Sequence, residues 1–303
     1  MSKPVRKANV IYFKILFKMA PNLRMIDGSM SATLKQFGFD AFKKKPHWTF
    51  AANSDKELMR KVYQSFADMN LDYITTNTYH YGSTFDPELP PPLKDRWVYD
   101  QYFKDTCDLL EDIIEKHNKT GKHKIKILGS VGSLATRFHD CSEYHGRYVE
   151  QASSMTLARE HFASIFESFM SLTNIRTLII ETLPTGLEGE VVLELLEKFP
   201  ELQVVVSFTF KVIGFGINCT DPQNVVFALE QASENRFRDI FVYPNVSDAF
   251  FVEDEDNLPP PFSEALVKSW AEKGATVFGG CCGVDTDYLR ILKNIIDKFN
   301  EKA

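Results

Sequence analysis

Eight apolar runs of strand length recur along this chain of 303 residues, and helix-length segments separate most of them. The runs are mostly continuous rather than alternating in polarity, as expected for parallel strands that are covered on both faces. They lie at residues 23–26, 73–76, 125–128, 178–180, 204–208, 215–217, 240–242 and 276–278. Eight such units predict a (β/α)₈ barrel of the TIM type.

One connection is too short for this fold. Only Thr209 to Gly214 lie between the fifth and sixth runs, whereas a crossover between parallel neighbours requires a dozen or more residues, usually with a helix. The sequence therefore predicts a barrel whose fifth crossover is truncated, unless one of the two strands is misjudged.

The composition limits the classes of function. The net charge is -6 and the pI is about 5.7, so no global basic field attracts nucleic acid or anionic lipid. The five cysteines lack the spacing of a disulfide framework, which favours a reducing, cytoplasmic compartment. No apolar run is long enough for a membrane span. We therefore predict neither a nucleic-acid partner nor a membrane partner.

The amino terminus is basic, because six lysines and arginines precede the first acidic residue, Asp27. Acid-free basic starts are typical of organelle targeting segments. Here Lys14 interrupts the apolar stretch. We interpret residues 1–20 as a loosely held extension, with targeting as the alternative, and residues 21–303 as a single barrel domain.

Two adjacent thiols, Cys281 and Cys282, follow the eighth run in a glycine-rich segment. Neighbouring side chains on a strand point to opposite faces, so both sulfurs reach one ion only if the chain bends there, as glycine permits. Cys219 likewise ends the sixth run. Three thiols at strand ends suggest a metal site, and a redox dithiol or core packing are the alternatives for the adjacent pair. We interpret Cys107 and Cys141 as core residues.

Other polar residues also stand at strand ends, where the active sites of barrel enzymes gather. They are Asp27, Thr76, Asn77, Ser130, Glu181 and Asn218. From the residues alone, the carboxylates of Asp27 and Glu181 suit general acid–base chemistry, glycoside hydrolysis or the capping of the following helices.

In their order along the chain, these motifs resemble the zinc-dependent homocysteine S-methyltransferases. The matching segments are residues 26–30, 75–79, 129–132, 142–148, 181–184, 216–220, 242–245 and 279–283. Segments 143–148 and 181–184 are more similar to the branch that uses S-methylmethionine or S-adenosylmethionine than to the branch that uses betaine. Three features depart from the family pattern, namely Ser29 in place of a glycine, the continuation after Gly283, and the short fifth crossover.

The resemblance implies that Zn²⁺ is held by Cys219, Cys281 and Cys282. It also implies that Asp27 and Glu181 hold the amino group of homocysteine. The implied reaction is methyl transfer from a sulfonium donor to the thiol of homocysteine, or to a selenol analogue. With homocysteine as the acceptor, the product would be methionine.

Further candidate substrate contacts are Gly28, Asn77 and Ser130, for which hydrogen bonding within loops is the alternative. Because of the short crossover, a catalytically inactive barrel that binds a metal or an amino acid is the alternative to the enzyme. The sequence leaves the oligomeric state open, and a homo-oligomer is compatible with it.

Overall fold

The computed structural model describes residues 23–44, 48–82, 95–121, 123–138, 140, 142–144, 146–150, 153–208, 216–232, 239–246 and 261–301. Its strands are β1 Arg24–Met25, β2 Tyr73–Thr75, β3 Lys126–Gly132, β4 Thr177–Leu183, β5 Gln203–Phe208, β6 Gly216–Asn218, β7 Phe241–Tyr243 and β8 Val277–Phe278. All pairs are parallel, and the sheet order runs β1-β8-β7-β6-β5-β4-β3-β2. A bridge between Ile26 and Tyr73 joins the two ends of this order. The predicted (β/α)₈ barrel is confirmed.

Eight α-helices cover the strands in the described part of the chain. They are α1 Met30–Gln36, α2 Lys56–Ala67, α3 Arg96–Thr120, α4 Ser154–Leu172, α5 Gly186–Leu196, α6 Val225–Ala232, α7 Glu264–Glu272 and α8 Thr286–Glu301. Ser54, followed three residues later by Glu57, has the pattern of a capping box and is thereby predicted as the N-cap of the helix that follows. The structure shows that this prediction is wrong. Ser54 is the last residue of a 3₁₀ turn, so Asp55 caps α2 instead by accepting a hydrogen bond from the Leu58 amide at 3.0 Å.

Strand β6 is short: it pairs along its length with β7, but on its other side only with the last two residues of β5. Gly216 and Ile217 lie opposite Ser207 and Phe208, while four earlier β5 residues pair with β4 on the other side. Each of the other connections between consecutive strands contains at least one described α-helix. The predicted short crossover, Thr209 to Gly214, lies outside the described residues, as does the predicted extension at residues 1–20.

Two apolar layers hold the barrel together. The interior of the barrel contains Ile26, Tyr73, Leu128, Ile179, Phe241, Tyr243 and Val277. The outer layer lies between strands and helices, where large side chains such as Trp270, Phe103 and Phe166 are fully buried. Continuous apolar strands bury side chains on both faces, which is why they could be recognised as apolar runs. None of the described helices is long and apolar enough to cross a bilayer.

Candidate active site

The three cysteines predicted as ligands meet at the carboxyl end of the barrel. Cys219 follows β6, and Cys281 and Cys282 follow β8 after two glycines. The Cys219 sulfur lies 2.7 Å from that of Cys281 and 3.8 Å from that of Cys282, and the adjacent pair are 4.0 Å apart. Cys107 is buried on α3 and lies outside this cluster, while Cys141 lies outside the described residues.

Backbone geometry brings the sulfurs together. Cys219 has φ 48°, in the left-handed region that non-glycine residues rarely adopt. The Cys281 amide donates to the Pro244 carbonyl at 2.8 Å, and the Cys282 amide donates to Asn245 Oδ1 at 3.1 Å. The segment after β7 therefore fixes both adjacent cysteines.

Glycine is required at the two positions between β8 and the cysteines. A Cβ atom at Gly279 would lie 2.3 Å from Ile26 Cγ2, and one at Gly280 would lie 2.0 Å from Val284 Cγ1. The turn consequently packs against β1 and against the start of α8 more closely than a side chain would allow.

The pKa values of the cysteine thiols shift in opposite directions. Hydrogen bonds with the other two thiols, followed by burial, raise the pKa of Cys219 well above its ordinary value. Hydrogen bonds with Cys219 and Cys281 lower the pKa of Cys282 well below its ordinary value. One thiolate is thus stabilised at the expense of its neighbours, and ionisation of all three requires a cation among them.

This donor set fits a thiophilic metal such as zinc. Thiolates at about 2.3 Å around a tetrahedral zinc ion lie about 3.8 Å from one another. Two of the three measured sulfur separations, 3.8 and 4.0 Å, match that value, and the third, 2.7 Å, is shorter. Three protein ligands also leave one position of a tetrahedral ion for a substrate atom.

Two carboxyl groups lie in the same cavity as the thiols. Asp27 Oδ2 accepts hydrogen bonds from the amide and the hydroxyl of Thr75, at 2.7 and 2.9 Å. Glu181 Oε1 accepts a hydrogen bond from the Ser130 hydroxyl at 2.6 Å. Burial raises the pKa of each carboxyl to about 7, although these hydrogen bonds oppose the rise. For Glu181, repulsion from Asp27 adds to the increase.

The other predicted contacts occupy the same cavity in different ways. The Asn77 side chain donates to the Thr49 carbonyl and to Asn53 Oδ1, both at 2.8 Å, so its amide group stabilises the surrounding loops. A Cβ atom at Gly28 would lie 2.7 Å from the Val284 carbonyl. That position therefore allows β1 to approach the turn after β8.

The cavity measures about 190 Å³, and all eight predicted site residues line it. Its lining includes the carboxyl groups of Asp27, Glu143 and Glu181. Among the described residues it contains neither lysine nor arginine. The cavity therefore favours cationic ligands.

Comparison with known proteins identifies the family. The sequence model of the homocysteine S-methyltransferases matches residues 24–212 and 210–296.

The chain belongs to the homocysteine S-methyltransferase family.

Relatives in this family are similar over most of their length. Homocysteine S-methyltransferase YbgG of Bacillus subtilis is 24% identical over 292 residues, which cover 86% of this chain and 90% of that protein. A selenocysteine methyltransferase of Astragalus bisulcatus is 24% identical over 320 residues, which cover 90% and 92% of the two chains. The prediction that this chain is a methyltransferase enzyme is confirmed by the family match.

The fold also matches a solved structure of similar size. The oxidised form of the homocysteine methyltransferase MmuM from Escherichia coli superposes with a TM-score of 0.74 and 21% identity, covering 90% of this chain and 96% of that one. Its metallated form gives a TM-score of 0.71 at 20% identity. The likeness extends over the whole barrel.

Tyr144 lines the active-site cavity of this methyltransferase but was not predicted as a site residue, because the prediction considered residues at strand ends. Its hydroxyl lies 3.9 Å from the Cys219 sulfur and 3.8 Å from the Cys282 sulfur. It belongs to the 3₁₀ turn Ser142–Tyr144 in the loop after β3, rather than to a strand end. The one signal for it was the family-like segment 142–148.

Thr182 was also missed. It has φ 62° within β4, where the pairing with β5 shifts register, and its hydroxyl accepts a hydrogen bond from Asn218 Nδ2 at 2.9 Å. No pattern of residue types predicts a β-branched residue in that conformation.

Proposed function

We propose that this protein is a zinc-dependent enzyme that transfers a methyl group from a sulfonium donor to the thiol of L-homocysteine. The observation that carries the proposal is the placement of three mutually close thiols in one cavity with the buried carboxyl of Asp27 and the partly buried carboxyl of Glu181. A thiophilic cation and an amino-acid ammonium group find complementary partners in this cavity.

Cys219, Cys281 and Cys282 are the residues that would hold zinc. A free alkyl thiol has a pKa near 8.5 and is mostly protonated at neutral pH. Zinc held there would supply the ionisation of the substrate thiol, because a coordinating thiol is deprotonated outright. The negative charge of the three cysteine thiolates would exceed the two positive charges of the ion, so the substrate sulfur would stay nucleophilic.

Asp27 and Glu181 orient the acceptor. Their carboxylates would pair with the ammonium group of homocysteine, and this pairing fixes the distance from that group to the thiol. The Thr75 and Ser130 hydrogen bonds hold both carboxyls in place before the substrate arrives. Positioning of this kind lowers the barrier by removing the entropy cost of bringing the two reactants into line.

The reaction itself is a displacement at the methyl carbon. The homocysteine sulfur forms a bond to that carbon, the bond between the carbon and the donor sulfur breaks, and its electron pair neutralises the sulfonium. The thiol proton is released to solvent. The acidic lining, which includes Glu143, favours a cationic donor over a neutral one. By the same chemistry a selenol analogue of homocysteine would serve as an acceptor.

The test is a methionine-formation assay on the zinc-loaded protein with each donor in turn. We expect turnover with S-methylmethionine or S-adenosylmethionine and a kcat/KM for betaine at least tenfold lower. Turnover with betaine alone would overturn the donor assignment. Zinc-loaded protein that forms no methionine with any of the three donors would favour the inactive, metal-binding barrel.

A further inference from the structure

A buried carboxylate that the methyl transfer does not use lies next to the active-site loop. Glu188 is 0% exposed and stands in the first turn of α5. Its Oε1 accepts a hydrogen bond from the Leu134 amide at 2.8 Å, and its Oε2 accepts one from the Tyr148 hydroxyl at 2.6 Å. Burial of a carboxylate carries a large desolvation free energy, so a glutamate in such a position indicates a specific role.

Both partners of Glu188 belong to the loop that carries Tyr144. Leu134 lies directly after β3, and Tyr148 lies four residues beyond Tyr144. The carboxylate therefore ties the two ends of this loop, residues 133–150, to the same point on α5. Between the two ties, the Tyr144 hydroxyl contacts the sulfurs of Cys219 and Cys282.

A third contact fixes the middle of the loop. Gly146 has φ 63°, and a Cβ atom there would lie 2.9 Å from Thr185 Cγ2 and 3.0 Å from Pro184 Cβ. The loop thus packs closely on the turn between β4 and α5. Since β4 also carries Glu181, β4 and the turn after it both present the Glu181 carboxyl to the cavity and contact the loop that carries Tyr144.

Glu188 makes these contacts instead of the helix-capping contact that its position in the sequence predicts. The pattern Thr185-x-x-Glu188 is that of a capping box, in which the glutamate reaches back to the N-cap residue. In this structure the Thr185 side chain makes no capping bond, and its hydroxyl has no hydrogen-bond partner among the described residues. The carboxylate is directed to the loop instead.

We propose that Glu188 is a positioning residue that holds Tyr144 against the metal-binding thiols through the loop 133–150. This inference rests on the proposed function for its catalytic consequence. Its structural part, the coupling between Glu188 and Tyr144, can be measured even if the reaction is different.

The test is a double-mutant cycle on the zinc-loaded full-length protein, using Glu188→Leu and Tyr144→Phe. We expect each single variant to lower kcat by about tenfold and the double variant to be no worse than the poorer single one, because both changes remove the same contact. Glu188→Gln should restore most of the activity. Its amide oxygen can still accept from the Leu134 amide, and the Tyr148 hydroxyl can reverse and accept.

Two measurements that do not depend on turnover complete the test. Glu188→Leu should increase amide hydrogen exchange in residues 133–150 of the metal-free protein. It should also shift the thiolate-to-metal absorption band of Co²⁺-loaded protein in the same direction as Tyr144→Phe does. The matched control is Leu195→Ala, which removes a buried side chain of α5 that makes no polar contact with the loop.

The outcomes separate the two proposals. Additive losses in the double variant, an unchanged Co²⁺ band in Glu188→Leu, or an equal loop exchange in Leu195→Ala would each overturn the positioning role. A different result would overturn the proposed function and still support the positioning role. In that case the wild-type protein forms no methionine, and the Co²⁺ band shifts equally in the Glu188→Leu and Tyr144→Phe variants.

Discussion

Cys219 is a cavity residue whose position depends on an unusual backbone conformation. It follows a strand of only three residues and has φ 48°. Non-glycine residues in that region cost of order 1–3 kcal/mol and tend to persist where function requires them. The neighbouring Asn218 is buried, and its side-chain oxygen accepts a hydrogen bond from the Ser207 hydroxyl at 2.5 Å, which anchors the strand end.

Replacement of this cysteine tests the metal site at the level of one atom. We expect Cys219→Ser to reduce zinc from one ion to less than about 0.2 per chain and to abolish methionine formation, because a hydroxyl is a poor ligand for zinc at neutral pH. Metal analysis of purified protein measures the loss. The control Cys107→Ser changes a buried thiol outside the cluster and should retain full zinc. Full zinc in Cys219→Ser would exclude this residue from the site.

The two raised carboxyl pKa values make amino-acid binding depend on pH. Asp27 and Glu181 both have a pKa of about 7, and only their ionised forms attract an ammonium group. Between pH 6 and pH 8 a group with this pKa goes from roughly a tenth to nine-tenths ionised. We expect the Kd of methionine, which has no titrating thiol, to fall about tenfold over that range in calorimetry. A Kd that is constant from pH 6 to 8 would contradict the assignment.

The same carboxyls affect the stability of the ligand-free protein in the opposite sense. Each folded-state pKa lies above its ordinary value, so each group contributes stability that is present in acid and is lost as the pH rises towards about 7. Bound ammonium offsets that loss. The pH dependence of binding and that of folding therefore have one physical cause.

Single residues show why part of the site could be predicted from sequence. Asp27, Glu181 and the three cysteines lie near the carboxyl ends of strands or a few residues beyond them. Parallel strands bring these ends together at one face of the barrel. Tyr144 and Glu188 lie in a loop and in a helix, and their distances to the thiols and to Tyr148 depend on the path of the loop. The capping-box pattern at Thr185 even indicates a different role for Glu188.

At the scale of elements, the turn between β8 and α8 connects the proposed metal ligands Cys281 and Cys282 to Asp27, a proposed substrate contact. Gly279 packs on Ile26 and on the Asp27 carbonyl, and Gly280 packs on Val284. A shift of this turn away from β1 would move the adjacent cysteines and the Asp27 carboxyl relative to each other.

Gly279→Ala tests that coupling. The new methyl group would lie 2.3 Å from Ile26 Cγ2, and overpacking of this kind costs about 1–3 kcal/mol. We expect a loss of that size in chemical denaturation, together with weaker zinc binding. Gly186→Ala is the matched control, because a Cβ atom there meets nothing within 4 Å. If Gly279→Ala bound zinc as tightly as Gly186→Ala, the turn would not determine the metal geometry.

Element boundaries also show the limit of sequence patterns. The apolar runs at 125–128 and 178–180 became the strands Lys126–Gly132 and Thr177–Leu183. Each strand continues into the polar residues of the active site, such as Ser130 and Glu181, whose backbones remain in the ladder. Hydrophobic periodicity ends at the first polar side chain, so it misses the functional part of the strand.

At the scale of the whole molecule, β6 is a short strand that leads to a proposed metal ligand, Cys219. It has three residues, and its pairing with β5 involves two of them. The family match is also divided at residues 210–212, directly before this strand. A metal held by Cys219, Cys281 and Cys282 would link the end of β6 to the end of β8, across β7.

Metal removal should therefore destabilise the barrel as a whole. A ligand that binds only the folded state stabilises it according to its concentration and affinity. We expect chelation of zinc to lower Tm by about 5 °C or more, as measured by scanning calorimetry. Cys219→Ser, already depleted of metal, should show no further shift on chelation. Equal Tm values for the zinc-loaded and zinc-free wild-type protein would contradict a role of the metal in stabilising the barrel.

The central proposal is that Cys219, Cys281 and Cys282 would hold a cation at which the thiol of homocysteine would lose its proton. X-ray absorption at the zinc edge, recorded with and without L-homocysteine, tests it most directly. We expect three sulfur neighbours at about 2.3 Å in the free protein and four with homocysteine bound. A sulfur count that stays at three at saturating homocysteine would contradict it.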